Sequence, residues 1–315
     1  MLDRYDREIT YLRISLTDKC NLRCKYCMPE EGVALKSHND ILSIEEISEI
    51  VKASAQLGIK KIRLTGGEPL LRKGLIPLCR EITDTPGIED LAITTNAVLL
   101  NSMAEELLDA GVQRLNISLD TLKPERYKEI TRIGDLNTAL SAIEKVSSMG
   151  FKKIKLNNVL LGDFNTDEIR ELAELSKKMP LDVRFIELMH MPGTDLPESY
   201  YVSSDIVLKE LPELEYIGMD GVAKTYRLPR AMGKIGLISP VSCKFCSECN
   251  RIRLTADGYI KPCLHSEDEI SVKDFHGEEL TKVLEKAILS KPKEHEALDF
   301  ENQSLSARQM NKIGG

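Results

Sequence analysis

No apolar run in this sequence approaches the ~18 residues that a transmembrane helix needs. The opening residues MLDRYDREIT also lack the apolar core of a signal peptide, so no membrane association and a cytoplasmic location are expected. Basic residues are in the minority: 43 Lys and Arg face 50 Asp and Glu, leaving a net charge of −7. That balance argues against a broad basic surface for nucleic acid, and any anionic substrate must be held by local cations. Tryptophan is absent and aromatics make up 5%, yet 42% of the 315 residues are apolar. This is an ordinary soluble composition in a chain well able to bury a core. Low-complexity tracts are missing too. Cysteine is not scarce: there are eight. In a chain expected in the cytoplasm, they point to metal or redox chemistry rather than to a disulfide framework.

Residues 11–17 (YLRISLT) alternate as a strand. Ser43 and Glu46 form a capping box ahead of a helical stripe at Ile47, Ile50, Val51 and Leu57. The unit then repeats. Strands at 61–66, 91–96, 114–120, 153–160 and 182–189 alternate with helices near 74–84, 102–110, 124–131 and 137–149, and with one that Asn165 and Glu168 are expected to cap. Six βα-like units in succession imply an α/β fold with a parallel sheet: an incomplete, TIM-like (β/α)6 barrel. Beyond about residue 219 the rhythm stops. RIRLTADGYIKPCL reads as a hairpin turning at Asp257-Gly258, and a helix is expected near 278–289. The expected division is a barrel at 1–219 and a small C-terminal domain at 220–315.

Three cysteines, Cys20, Cys24 and Cys27, lie within eight residues directly after the first strand. Zinc sites and ordinary four-iron clusters want four protein ligands, so three leave one metal position open. The loop is expected to hold an iron–sulfur cluster whose fourth iron binds something other than protein. Parallel barrels carry their active sites at the C-terminal ends of the strands. There stand Gly66-Gly67-Glu68-Pro69, Thr94-Thr95-Asn96, Ser118 with Asp120, and Met189. Inside the strands are four cations, Arg13, Arg63, Lys155 and Arg184. An isolated cation under a helix layer would cost several kcal/mol, whereas an open lumen facing a polyanion accommodates it. Guanidinium groups suit phosphate oxygens, so a phosphorylated ligand is expected. A second group, Cys243, Cys246, Cys249 and Cys263, fits either a zinc ribbon or a second cluster. Arg251 and Arg253 beside it favour the cluster, because cations have no obvious task beside a structural zinc. Cys79, in a helix, reads as a buried apolar residue.

Cys-x3-Cys-x2-Cys with Tyr26 before its last cysteine, followed by GGEP after the next strand, resembles the radical S-adenosylmethionine superfamily. FCSECNRIRLTADG, Cys263 after the hairpin and the terminal Gly-Gly resemble, more narrowly, the GTP 3′,8-cyclase family of molybdenum-cofactor biosynthesis. The resemblance runs from about Arg13 to the last residue. It implies that Cys20, Cys24 and Cys27 hold a [4Fe-4S] cluster whose open iron chelates S-adenosylmethionine. Reductive cleavage of that cofactor would give a 5′-deoxyadenosyl radical that takes hydrogen from C3′ of GTP, and the sugar radical would then add to C8. Tyr26, Gly67, Ser118 and Met189 match cofactor-binding positions. Arg13, Arg63, Thr94, Lys155 and the segment Arg251-Ile252-Arg253 match GTP contacts, with Arg184 as a further contact. Cys246, Cys249 and Cys263 match ligands of a second [4Fe-4S] cluster. Cys243 departs from the pattern and reads as a bystander thiol. Gly314 and Gly315 resemble a tail that enters the active site. A reduced electron donor and a separate downstream pterin-forming enzyme are implied as partners. The oligomeric state stays open, a homodimer being one arrangement. Two rivals predict otherwise: a peptide-modifying radical enzyme with an auxiliary cluster would not need the lumen cations, and a non-catalytic zinc-binding module would not need the GGEP turn.

Overall fold

The computed structural model describes residues 1–33, 37, 40–192, 196–298 and 303–314. Strand β1 (Tyr11–Ser15) leads into the first cysteine loop, and helix α1 (Ile44–Gln56) follows. The expected capping box is present: Glu46 N–H donates to Ser43 Oγ at 3.1 Å, and Ser43 N–H to Glu46 Oε2 at 2.6 Å. The repeating units are β2 (Lys61–Thr65), α2 (Leu75–Asp84), β3 (Asp90–Thr95), α3 (Leu100–Asp109), β4 (Arg114–Ser118), α4 (Pro124–Thr131), α5 (Leu136–Ser147), β5 (Lys153–Leu160), α6 (Ile169–Lys178) and β6 (Asp182–Glu187). Each of β1 to β6 pairs in parallel with the next. The strand pattern explains the layering. Leu12, Ile14, Ile62, Leu64, Leu91, Ile93, Leu115 and Ile117 are at most 2% exposed, packed beneath the helices. The alternate positions, among them Arg13, Arg63, Asn116 and Lys155, turn to the lumen. Cys79 is fully buried in α2, as expected.

One local expectation is corrected. Asn165 does not cap a helix with its side chain; a 3-10 turn at Thr166–Glu168 leads into α6 instead. Leu161 N–H donates to Asn165 Oδ1, and Asn165 Nδ2 donates to the carbonyls of Asp120 and Val159. Glu168 accepts from Thr121, Leu122 N–H and Arg126. Both side chains are buried, so their hydrogen bonds go to the neighbouring loops that surround them rather than to a helix end.

The sheet does not stop at residue 219. After α7 (Asp205–Glu210), β7 (Glu215–Asp220) and β8 (Ala223–Arg227) form an antiparallel hairpin joined to β9 (Ile235–Ile238), which lies parallel to β6. Strand β10 (Arg251–Leu254) lies parallel to β1, and β11 (Tyr259–Lys261) and β12 (Ile270–Ser271) extend that edge. The hairpin expected at Asp257-Gly258 therefore builds onto the barrel. Eight consecutive strands run parallel, β10, β1 to β6 and β9, and the C-terminal segment supplies both outer ones. The sheet ends at β7 on one side and β12 on the other, so the barrel stays incomplete. Helices α8 (Gly277–Leu289) and α9 (Met310–Ile313) complete the described elements. Among the described residues, no helix is long and apolar enough to cross a membrane.

Candidate active site

The loop after β1 places Cys20, Cys24 and Cys27, each partly buried, at one end of the lumen. Its backbone is pinned to the end of α4, with Arg23 N–H on the Thr131 carbonyl at 3.0 Å and Lys25 N–H on Ile130 at 2.9 Å. From the other side the glycine turn after β2 presses against it. Gly67 N–H donates to the Thr17 carbonyl at 2.6 Å, and Glu68 N–H to Lys19 at 2.7 Å. A Cβ on Gly67 would lie 2.3 Å from the Lys19 carbonyl oxygen. In this structure the glycine is thus required by the fit of the turn on the cysteine loop. Gly67→Ala is expected to destabilise the apoprotein by about 2 kcal/mol through overpacking and to lower its iron content after reconstitution. Urea unfolding and iron analysis check this; unchanged values for both would contradict it.

Buried carboxylates lock the neighbouring strand ends together. Glu68 accepts from Thr95 Oγ1 and Asn96 N–H, each at 2.8 Å, and burial pushes its carboxyl up to about 7. Asn96 Nδ2 in turn donates to Asn21 Oδ1 at 2.8 Å. Tyr26 Oη donates to Asp120 Oδ2 at 2.5 Å, and Val159 N–H donates to Asp120 Oδ1 at 2.8 Å. Burial raises the three thiols, Cys27 to about 12, and nearby acidic groups add to this. Such thiols are held together as thiolates only beside concentrated positive charge. Among the described residues, no three Cys, His, Asp or Glu side chains converge on a single metal ion. A multi-iron cluster, which takes one cysteine per iron, spreads its ligands wider, and the donor set suits it.

Midway along the lumen, register sets Arg253, Arg13 and Arg63 side by side across β10, β1 and β2. The guanidinium carbons of Arg63 and Arg13 lie 5.3 and 5.7 Å from the centre of the Tyr11 ring. No ion pair reaches Arg13, Arg63 or Arg251 among the described residues. Burial pulls Arg63 down to about 9 and Arg13 to about 10, with surrounding arginines adding to the effect, so both stay protonated near neutrality. Among the described residues, Nε of both arginines, Thr94 Oγ1, Asn116 Oδ1 and Asn157 Oδ1 are buried without a partner. Uncompensated cations and unmet polar atoms on adjacent strands of one inner face are what a polyanionic, hydrogen-bonding ligand would satisfy.

Two lumen cations are less isolated than the sequence suggests. Lys155 Nζ donates to Asp220 Oδ2 at 2.8 Å and Arg184 to the same oxygen at 3.1 Å, while Lys153 also shares it at 2.8 Å. Gly236, opposite Arg184 in register, leaves room for its stem: a Cβ there would lie 3.0 Å from Arg184 Cγ. Arg253 donates to the carbonyls of Ile313, at 3.3 Å, and Gly314. Gly314 itself sits where a Cβ would overlap Thr65 Oγ1, at the mouth formed by the ends of β1 and β2. Gly315 lies outside the described residues. Ile252 is 1% exposed in the core beneath the helices, so it offers the lumen only its backbone. Ser118 and Met189 stand partly buried just at and beyond the ends of β4 and β6.

The second cysteine group lies at the opposite end. Cys249 precedes β10, and Thr10 and Tyr11 N–H both donate to the Asn250 carbonyl, which places it beside the start of β1. Cys246, Cys249 and Cys263 are partly buried, whereas Cys243 is exposed. Burial works against the Cys249 thiolate, but Lys291 and Arg251 outweigh it and bring the thiol down to about 7. Arg7 clamps this loop, donating to the Cys246 carbonyl at 2.9 Å. Glu187 holds the approach to it, accepting from the N–H groups of Val241 and Ser242. Neither Arg7 nor Asp220 has a signal in the sequence. Glu187 had one, a carboxylate inside a strand that should be buried.

Comparison with known proteins adds three findings. Residues 14–176 match the family model described as Radical SAM superfamily, and residues 181–297 match Molybdenum Cofactor Synthesis C. The chain is 48% identical to the GTP 3′,8-cyclase of Peptoclostridium acidaminophilum, covering 100% of this chain and 98% of that protein. It is 46% identical to the GTP 3′,8-cyclase of Alkaliphilus oremlandii, with full coverage of both. Among solved structures, Streptococcus suis SuiB superposes with a TM-score of 0.63 at 17% identity, over 85% of this chain and 64% of SuiB. The protein anSMEcpe with bound AdoMet gives 0.54 at 17% identity, over 86% of this chain and 80% of that one. At such identities the two structures speak to the fold alone.

Proposed function

Because the chain belongs to the radical SAM superfamily and, within it, to the GTP 3′,8-cyclase family, we propose that its lumen holds GTP between two four-iron clusters. The function is that of the family: radical conversion of GTP to (8S)-3′,8-cyclo-7,8-dihydroguanosine 5′-triphosphate in molybdenum-cofactor biosynthesis, a lyase-class reaction. Cys20, Cys24 and Cys27 would hold the first cluster, and Cys246, Cys249 and Cys263 the second, with Cys243 outside the ligand set. The first cluster would supply the electron for S-adenosylmethionine cleavage, and the second, held by three cysteines, would supply an iron for the purine. Tyr26, Gly67, Ser118 and Met189 line the cofactor site. Arg13, Arg63, Thr94, Lys155, Arg184, Arg251 and Arg253, with the Ile252 backbone, hold the nucleotide. Gly314 forms part of the substrate wall. A reduced donor, a downstream pterin-forming enzyme and a cytoplasmic setting complete the proposal.

The observation that carries this reading is the row of unpaired arginines between two cysteine groups at opposite ends of one lumen. A peptide substrate would leave those charges unmatched. The enclosure also lets the chain exclude water from the reacting ribose while Arg13 and Arg63 fix the phosphates by paired hydrogen bonds.

Lys155 gives a test by pH. Burial, and then Arg184, lower its ammonium to about 7 despite Asp220. Below that value it is charged; above it the empty site holds a neutral amine, which an incoming triphosphate must recharge. GTP affinity should therefore fall as pH rises above about 7.5, where a terminal phosphate with second pKa near ~6 is already ionised. Calorimetry in buffers of different ionisation enthalpy should show proton uptake on binding, abolished in Lys155→Met. A flat affinity with no proton uptake would contradict this role.

A further inference from the structure

The last described residues reach the lumen mouth on a helix, α9, of only four residues, too short to hold itself together in water. Something else must seat it. Ile313 is 1% exposed, which supplies one anchor. The other is Arg308. Its Nε and Nη2 donate to the Glu269 carboxylate at 2.6–2.9 Å, and its Nη1 donates to both oxygens of Asp257 at 2.8 and 2.9 Å. The guanidinium stands 5.2 Å from the centre of the Tyr259 ring. The three charged side chains are only 16–18% exposed, so this is a bidentate fork on Glu269, with the third nitrogen shared by the two oxygens of Asp257, shielded from solvent rather than a loose surface pair.

The location of the fork gives it a consequence for the site. Asp257 forms the turn between β10 and β11, and Glu269 also pairs with Lys261 of β11 at 3.1 Å. Strand β10 is the one that presents Arg251 and Arg253 to the lumen. The fork therefore fixes the tail to the same hairpin that supplies two of the substrate cations. Five and six residues later the chain meets that hairpin again, where Arg253 donates to the carbonyls of Ile313 and Gly314. Between the two attachments lies Asn311, 1% exposed, with neither its amide nitrogen nor its amide oxygen partnered among the described residues. A buried amide with both ends unmet, in a segment at the mouth of a polar lumen, points to a ligand that completes it.

We propose that Arg308 is a positioning residue whose fork on Asp257 and Glu269 seats residues 311–314 as a wall of the nucleotide site. The inference rests on the reading of the lumen as a GTP site. Full-length, reconstituted protein would be compared as wild type, Arg308→Ala, Arg308→Lys and the double variant D257A/E269A, which breaks the fork from its other side. Hydrogen exchange at Lys312, whose N–H donates to the Gln309 carbonyl, reports the seating of the tail; exchange in β10 serves as the folding control. GTP affinity is read by equilibrium dialysis. Loss of the fork should speed Lys312 exchange, leave β10 protected and weaken GTP binding about tenfold or more in both Arg308→Ala and the double variant. Arg308→Lys, with one ammonium for two carboxylates, should fall between. Unchanged exchange at Lys312, or faster exchange with GTP affinity intact, would overturn the positioning role. Lys155→Met is measured alongside: if neither it nor the fork variants alter GTP binding, the reading of the lumen fails rather than the fork alone.

Discussion

Cys24→Ala is expected to lower S-adenosylmethionine cleavage by about a thousandfold or more while leaving the fold in place. The magnitude follows from ligand chemistry: outer-shell changes at metal sites already cost ~10–100-fold, and this change would remove one of three proposed direct ligands. The fold survives because what Cys24 gives the loop is its carbonyl, which accepts from Cys27 and Met28 N–H. Its side chain is partly buried, and burial raises its thiol well above the ordinary value, so without iron it makes no ionic contribution to the apoprotein. Iron analysis separates the two sites. If each proposed [4Fe-4S] cluster is held by its own cysteines, wild type should carry about eight irons per chain, Cys24→Ala about four, and Cys243→Ala about eight. Full cleavage activity in Cys24→Ala, or loss of half the iron in Cys243→Ala, would contradict the assignment.

Arg63→Ala is expected to weaken GTP binding and turnover by about 100-fold, the upper range for losing a charge-assisted, bidentate contact in a buried site. Arg63 is the sharpest probe among the cations because it is 6% exposed, has no ion pair among the described residues, and has an unpartnered Nε. Lys155 and Arg184 share Asp220 with Lys153, so their removal also rearranges that carboxylate's ion pairs, and Arg63 gives the cleaner magnitude. Arg63→Lys should recover only part of the loss, because an ammonium keeps the charge without the planar fork. Removing a cation from a site where burial already depresses it should leave the empty protein no less stable, and urea unfolding would show this. S-adenosylmethionine binding should be unchanged. Equal loss of binding for both small molecules would mean that the barrel, not the nucleotide contact, had failed.

The barrel was legible in the sequence because its period is strong. Leu12 and Ile14 alternate with Arg13, and Ile62 and Leu64 with Arg63, so both the strands and their inner faces can be read directly. The first cysteine loop was legible by its spacing. What could not be read is where the C-terminal strands go. The RIRL segment looks like half of an isolated hairpin, and only tertiary pairing of Arg253 with Arg13 and of Arg63 with Arg13 makes it a wall of the barrel. That pairing sets the two cysteine groups at opposite ends of one lumen. Partners distant in sequence were invisible for the same reason: Asp220 lies 65 residues from Lys155, and Arg7 lies 239 from Cys246. Asn165 shows the reverse error. Its local pattern fits a cap, but a buried amide beside three competing backbone groups bonds to those instead.

The first cysteine loop is expected to generate a radical that strikes the ribose of a nucleotide held by the lumen arginines. The most direct measurement uses reconstituted, reduced protein with S-adenosylmethionine and GTP deuterated at C3′, followed by mass analysis of the 5′-deoxyadenosine formed. The account predicts one deuterium in that product. Turnover of GTP with no deuterium transferred would contradict it.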